Sequence, residues 1–259
     1  SKGIIISKKD LKIGILGYTS IFNNQLNRSN PLLPYVNDFI DEFKTLNDIK
    51  RLKKQVDFLI LNVHWGNEYV TTPLQNDIIL ARKYVDAGVD MIIGHHPHVL
   101  QYVEKVKSID GRTCFIAYSL GNYISNQAYS YTPSHPLSKG RERDGIILSF
   151  QLDKKQKFGL FKEEDKGYTT YLKNVYLIPT RTVNERINNS GKFKLDIRTF
   201  PVYDLIKRID KSLNENIAKK ERLVEYRKML LSRLKETERI LFAAGTPEGV
   251  KLYKNGISE

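Results

Sequence analysis

Histidine is the chemically versatile residue type that this sequence concentrates in one region. All five histidines lie between residues 64 and 135, and three of them fall within Gly94–His98. Imidazole is the commonest nitrogen ligand for borderline divalent metals such as zinc, manganese and iron. The pattern at His96 and His98 places two rings on one tight turn, which Pro97 stiffens. The sequence therefore predicts that His96 and His98 are metal ligands.

Four more positions are candidates for the same chemistry. On an extended segment with a period of two, His95 points away from its neighbours, so we expect it to be a poorer ligand. His64 is either a third metal ligand or a general acid. Glu68 orients an imidazole, binds substrate or is only a surface carboxylate. With Asn122, which follows another strand, the candidate catalytic set is His64, Glu68, His95 and Asn122.

Several other chemistries have no matching pattern in the sequence. There is no His-Glu-x-x-His, no Gly-x-Ser-x-Gly and no Gly-x-x-x-x-Gly-Lys, so a zincin peptidase, a serine hydrolase and a P-loop NTPase are not predicted. The single cysteine, Cys114, cannot form an intrachain disulfide. No apolar run approaches the roughly 20 residues that cross a bilayer, so we expect the chain as given to be soluble.

The elements that position these residues follow from hydrophobic periodicity. Apolar runs and alternation predict strands, spacings of three and four predict helices, and Thr72, Pro73 and Gln75 match a capping box that begins the second helix. The predicted elements are a strand over 11–19, a helix over 36–52 after a loop at 23–31, a strand over 56–63, a helix over 72–88, and strands over 89–93, 113–118, 145–152 and 169–178. Ligands in such sheets bind beyond the strands' carboxyl ends, where the histidines fall.

The C-terminal part of the chain has a different pattern. From Pro201 onward, apolar residues recur at helical spacing until Gly245-Thr246-Pro247, which predicts an amphipathic helical tail that packs on the domain. The net charge is +13, and residues 145–259 carry 24 Lys and Arg against 15 Asp and Glu. This basicity either attracts a polyanion or reflects only the Lys-rich composition.

Three consecutive motifs carry a resemblance to a known family. They are His64–Tyr69, Asp86–Gln101 and Tyr118–Tyr123. Together they resemble the CapA family of capsule and poly-γ-glutamate biosynthesis proteins, which is similar to the calcineurin-like metallophosphoesterases. The resemblance implies an α/β fold, a layered α-β-β-α metallophosphoesterase-like sandwich, around a two-metal site. It spans about residues 4–202, so we expect residues 1–202 to be the C-terminal portion of this domain and 203–259 to be the basic helical tail.

The chain departs from the family pattern in one respect. The family carries a Gly-Asp motif and further acidic and histidine positions ahead of the strand that matches residues 11–19. We therefore expect the N-terminal part of the domain to be missing, so that the chain is a C-terminal piece, the partner of a second polypeptide or a truncated relative. A membrane anchor or lipoprotein signal is expected with the missing part, which would place the full-length protein at the cell envelope.

These observations support two classes of function and oppose a third. The first is a metal-dependent hydrolase or transferase that acts on an anionic envelope polymer or a phosphate ester, with Mn, Zn or Fe bound by His64, His96 and His98 in a two-metal site. The second is a non-catalytic component that binds a polyanion in an envelope polymer export machinery. Nucleic-acid binding has only the basic charge in its favour and no motif, so no nucleic-acid partner is predicted.

Overall fold

The computed structural model describes residues 3–21, 42–157, 167–189, 192–215 and 220–254. The predicted loop at 23–31 and the first part of the predicted helix 36–52 lie outside the described residues. The described elements are β1 (Ile4–Lys8), β2 (Leu11–Thr19), α1 (Glu42–Lys53), β3 (Phe58–His64), α2 (Gln75–Ala87), β4 (Met91–His95), β5 (Val103–Lys107), β6 (Thr113–Ala117), β7 (Asp144–Lys157), β8 (Gly167–Asn189), β9 (Lys192–Pro201), α3 (Val202–Asn214), α4 (Lys220–Leu241) and β10 (Val250–Leu252).

A six-stranded sheet forms the centre of the fold, with the strand order β1-β2-β3-β4-β6-β5. The four inner strands are parallel, and the two edge strands pair antiparallel with their neighbours. The apolar run of β3 is nearly continuous because both faces of this strand are buried. Leu59, Leu61 and Val63 face a core shared with α1 and α2, whereas Phe58 and Ile60 face the opposite layer.

The opposite layer is a second sheet, in which β8 pairs with β7, β9 and β10. Side chains from both sheets form one buried cluster, to which β4 contributes Met91 and β8 contributes Val175 and Leu177. Helices on one face and a second sheet on the other make this an α/β sandwich, as the sequence predicted.

The start of α2 differs from the prediction. The helix begins at Gln75 with Leu74 as its N-cap, so the capping box assigned to Thr72, Pro73 and Gln75 is wrong. The buried carboxylate of Asp77 instead accepts a hydrogen bond from the backbone N–H of Leu74, the N-cap residue. The C-terminus of α2 is as predicted, with Gly88 at φ 131°.

The C-terminal segment contains the helices α3 and α4, as its spacing predicted. Val250–Leu252, within the predicted helical tail, instead form β10, which pairs with β8 of the second sheet. Helices α3 and α4 share a buried cluster to which Ile206, Ile209 and Leu230 contribute, and Leu205 and Leu213 pack against it partly buried. The end of α4 also enters the core between the two sheets through Leu241. No described helix is long and apolar enough to cross a membrane.

Candidate metal and catalytic site

The candidate site lies where three parallel strands end. In the registers of the central sheet, Thr19 at the end of β2 pairs with His64 at the end of β3, and His64 pairs with His95 at the end of β4. The loops that follow these strands therefore begin at one edge of the sheet. This is the position predicted for the histidines.

Close packing fixes the two histidine loops against each other. The indole Nε1 of buried Trp65 donates to the backbone oxygen of Tyr118 at 3.0 Å. A Cβ at Gly94 would lie 1.9 Å from that same oxygen. Because backbone and indole approach each other this closely, position 94 requires glycine.

The imidazoles of His64, His96 and His98 form a continuous group. The ring centroids of His64 and His96 are 4.7 Å apart, and those of His96 and His98 are 6.1 Å apart. Both residues of the His-x-His pattern have positive φ, 103° at His96 and 59° at His98. Such backbone angles are unfavourable for non-glycine residues and concentrate at functional sites. The structure thus brings together the three residues predicted as ligands.

The hydrogen bonds around Asn122 assign the protonation of His98. The Asn122 amide Nδ2 donates to the backbone oxygen of Glu142 at 2.8 Å and to Gln127 Oε1 at 3.0 Å. Its Oδ1 therefore faces His98 Nδ1 at 3.0 Å and accepts a hydrogen bond from it. In this tautomer, neutral His98 carries its proton on Nδ1 and its lone pair on Nε2, which lies 3.7 Å from Glu68 Oε1.

His64 is held in the same way by a different strand. Its Nδ1 lies 3.1 Å from the hydroxyl of Thr19, and that hydroxyl donates its own proton to the Ile21 backbone oxygen at 2.9 Å. The His64 Nδ1 is therefore the donor, and its Nε2 carries the lone pair. Burial, followed by the neighbouring histidines, lowers the pKa of His64, so the neutral form of a ligand is favoured over the charged form of a proton donor.

The remaining predicted residues occupy the rim of this group. His95 is an exposed residue whose charge helps to lower the pKa of His64, so it lies beside the ligands, and its weaker role as a ligand remains a prediction. The Glu68 carboxylate is 44% exposed, and its Oε1 lies 3.7 Å from the Nε2 of His98. Both therefore lie beside the cluster, and their catalytic roles remain predictions.

The donor types of this cluster fit a borderline divalent metal, but the described residues do not complete a site. Neutral imidazoles with free Nε2 atoms at His64 and His98 are suitable ligands. Within the described ranges, however, no three His, Cys, Asp or Glu side chains are grouped closely enough to hold a metal ion. A metal bound here would need further ligands.

Three residues of the site were not predicted from the sequence. Thr19 orients His64, Gln127 holds the Asn122 amide, and Tyr69 stacks on His98 with a 6.0 Å centroid separation. Gln127 also donates to the Tyr69 hydroxyl at 3.2 Å. The position of Thr19 at a strand end was an available signal. Gln127 lies in a loop without hydrophobic periodicity, so the sequence gave no signal for it.

Fold and site together define a class of protein: an α/β sandwich with ligand-type histidines at the carboxyl ends of parallel strands. Residues 1–127 match the model of the bacterial capsule synthesis protein family PGA_cap. This segment, just under half of the chain, is similar to that family.

Two curated relatives are each similar to this chain over slightly more than 100 residues. The capsule biosynthesis protein CapA of Bacillus anthracis is 39% identical over 102 residues, which are 39% of this chain and 24% of the relative. The PGA biosynthesis protein CapA of Bacillus subtilis (strain 168) is 37% identical over 106 residues, 41% of this chain and 24% of the relative. The match thus spans about a quarter of each relative's length.

Proposed function

We propose that this chain acts in capsule or poly-γ-glutamate biosynthesis as the histidine-bearing part of a metal-dependent hydrolase or transferase. The observation that carries the proposal is the cluster of His64, His96 and His98 within the segment that matches the family. The names of the two similar proteins give the biosynthetic context.

His64, His96 and His98 would hold the metal, and carboxylates from outside the described residues would complete its ligands. A bound Mn, Zn or Fe ion would supply Lewis acidity toward the scissile bond and would lower the pKa of a bound water. Thr19 and Asn122 would keep the Nε2 atoms of His64 and His98 directed at the ion. Loss of a hydrogen-bond partner of a ligating imidazole commonly lowers metal affinity by about 10- to 100-fold.

The substrate would be an anionic envelope polymer or a phosphate ester. The lowered pKa of His64 favours its role as a ligand over its role as a general acid. Glu68, 44% exposed beside His98, remains free to contact substrate at the rim. Action at the cell envelope follows from the biosynthetic context and is part of the same proposal.

The direct test is metal binding followed by hydrolysis. Titration calorimetry with Mn²⁺ and Zn²⁺ should show stoichiometric binding that His96→Ala removes. Hydrolysis of bis(p-nitrophenyl) phosphate and of poly-γ-glutamate should then be compared with and without metal. Affinity should be weak for the chain alone, since neutral imidazoles leave the charge of a dication uncompensated, and it should rise when acidic segments of the complete gene product are present. Absence of metal binding in both would overturn the proposal.

A second candidate function is polyanion binding without catalysis. Exposed cations outnumber exposed acids on α3 and α4, and this favours it. The exposed cations are Lys207, Arg208, Lys211, Lys220, Arg222, Lys228, Lys235 and Arg239, against exposed Glu221 and Glu225. This function predicts polymer binding that is unchanged by His96→Ala and by removal of metal.

A further inference from the structure

We propose that the C-terminal helix α4 positions the candidate site, because buried contacts from Arg233 and Glu236 orient Asn122 and, through it, His98. The idea rests on the proposed function only in so far as His98 is a ligand. Helix α4 lies outside residues 1–127, the part that matches the family model. The positioning device is therefore additional to the matched segment.

The first step is a buried ion network around Asp144. The Asp144 carboxylate accepts from Arg181 Nη1 at 2.5 Å and from Arg233 Nη2. All three side chains are buried, and Arg233 is 2% exposed. Arg181 Nη1 also donates to the Gly140 backbone oxygen at 2.8 Å. Charged hydrogen bonds in such an environment are strong and hold their partners in one geometry.

Helix α4 also holds the segment that precedes Asp144. This segment is a short 3-10 helix, Leu137–Arg143. Arg233 Nη1 donates to the Leu137 backbone oxygen at its start. Near its end, Arg141 pairs with Glu236 of α4 at 2.5 Å. Two residues of one helix, one turn apart, thus hold both ends of the segment.

The segment passes this restraint directly to Asn122. The backbone oxygen of Glu142 accepts from Asn122 Nδ2 at 2.8 Å, and that of Asp144 accepts from the Asn122 backbone N–H at 3.3 Å. A Cβ at Gly121 would lie 2.5 Å from the Asp144 oxygen, which shows how closely the two loops pack. Because the Asn122 amide is fixed, its Oδ1 is available to His98 Nδ1 at 3.0 Å.

His64 provides an internal comparison. Its Nδ1 is held by Thr19 of β2 at 3.1 Å, and this contact involves no residue of α4 or of the 3-10 helix. If α4 positions the site through Asn122, a change in α4 should alter His98 and leave His64 unchanged. A general loss of stability would affect both.

The test is ¹⁵N NMR of the histidine ring nitrogens in the whole chain, comparing wild type with Arg233→Met. Methionine replaces the unbranched stem of arginine without its guanidinium group, and Asp144 retains Arg181 as its partner, so no unpaired carboxylate is left buried. We expect the wild-type His98 signals to show a proton on Nδ1. In Arg233→Met the His98 signals should move toward a mixture of tautomers, while those of His64 stay in place.

Three further variants complete the design. Arg222→Met makes the same change on the same helix at an exposed residue, and it should leave His98 unchanged. Arg233→Lys restores the charge without the fork and should restore the His98 signals in part. Glu236→Gln loosens the 3-10 helix with less risk to folding and should shift His98 in the same direction as Arg233→Met.

Each result has a defined meaning. Unchanged His98 signals in folded Arg233→Met, or a shift of His98 as large in Arg222→Met, would overturn the positioning role. If Arg233→Met does not fold, Glu236→Gln decides by the same criterion. Zn²⁺ titration should show an affinity about 10-fold lower in Arg233→Met. Absence of metal binding both in this chain and with the acidic segments present would overturn the proposed function alone, because the NMR comparison tests the positioning role without metal.

Discussion

At the scale of single residues, the histidines differ in what holds them. His64 and His98 each have Nδ1 bonded to a neighbouring oxygen, which leaves the lone pair on Nε2. The order of ligands predicted from the sequence, with His96 and His98 ahead of His95, assumed an extended segment with a period of two. Positive φ at His96 and His98 shows that the segment is not extended, so this order stays a prediction. The tautomers could not be predicted, since they depend on Thr19 and Asn122, which are 45 and 24 residues away from their imidazoles.

The ligand assignment predicts an order of effects for three alanine variants. His96→Ala and His98→Ala should each lower the affinity for Mn²⁺ or Zn²⁺ by at least about 10-fold and abolish metal-dependent activity, because each removes a ligand. His95→Ala should cost less. Calorimetric titration measures the affinities, and similar melting temperatures of the three variants serve as the control. Equal affinities in all three would show that the assignment is wrong.

Asp77 predicts a pH dependence of stability. Burial raises its pKa from 3.8 to about 6. A carboxyl group whose pKa is higher in the folded than in the unfolded state binds its proton more tightly when folded. Its ionisation therefore destabilises the fold as the pH rises from about 4 to about 6, and the effect is constant above that range. Asp77→Asn should remove this loss while keeping an acceptor for Leu74.

The measurement is the melting temperature of Asp77→Asn relative to wild type. The difference should grow in favour of the variant between about pH 4 and about pH 7. Asp86→Asn, on the same helix, provides a matched charge change. A constant difference between Asp77→Asn and wild type across this range would contradict the prediction.

At the scale of elements, the sequence predicts the strands that are buried on both faces and misses strands at the edges of the sheets. Strand β3 is apolar apart from Asn62 and His64, and the range 56–63 predicted from the sequence agrees with it within two residues at each end. Strand β1 is exposed at every position, β5 reads Val-Glu-Lys-Val-Lys, and β10 has three residues. Strands at a sheet edge or this short carry little periodicity, because their neighbours rather than their own side chains stabilise them. The helical tail was predictable from its spacing.

Helix α4 stabilises the fold through its buried face, and a pair of substitutions tests this. Leu230 is fully buried between α3 and α4, whereas Val224 on the same helix is 49% exposed. Leu230→Ala should lower the free energy of unfolding by about 2–5 kcal/mol, since it removes buried apolar surface and leaves a cavity. Val224→Ala should change it by about 0.5 kcal/mol or less. Urea unfolding measures both, and equal effects would contradict the packing of this helix.

At the scale of the whole molecule, site and charge are separated along the chain. The histidines lie between residues 64 and 135, whereas 24 of the 42 Lys and Arg residues fall after residue 144. The sequence predicted both the position of the site and the basic tail. It did not predict that the two are connected, because the contact of Arg233 with Asp144 joins residues 89 positions apart.

The basic tail predicts electrostatic binding of an anionic polymer. Exposed cations such as Lys228 and Lys235 line one face of α4, and the chain carries a net charge of +13. Binding of poly-γ-glutamate should be measurable at about 50 mM salt and fall steeply by about 300 mM, as the Debye length shortens below about 10 Å. Fluorescence anisotropy of a labelled polymer measures this dependence.

Charge-reversal variants distinguish polymer binding by a surface on α4 from attraction that depends only on the net charge. The double variant Lys228→Glu, Lys235→Glu should weaken polymer binding far more than Lys8→Glu, Lys12→Glu, which makes the same charge change on the N-terminal hairpin. Both pairs alter the net charge equally, so any long-range attraction falls by a similar amount in each. A surface formed by α4 is lost only in the first. Equal weakening in the two variants would show that the polymer responds to overall charge, and the tail would then have only its packing and positioning roles.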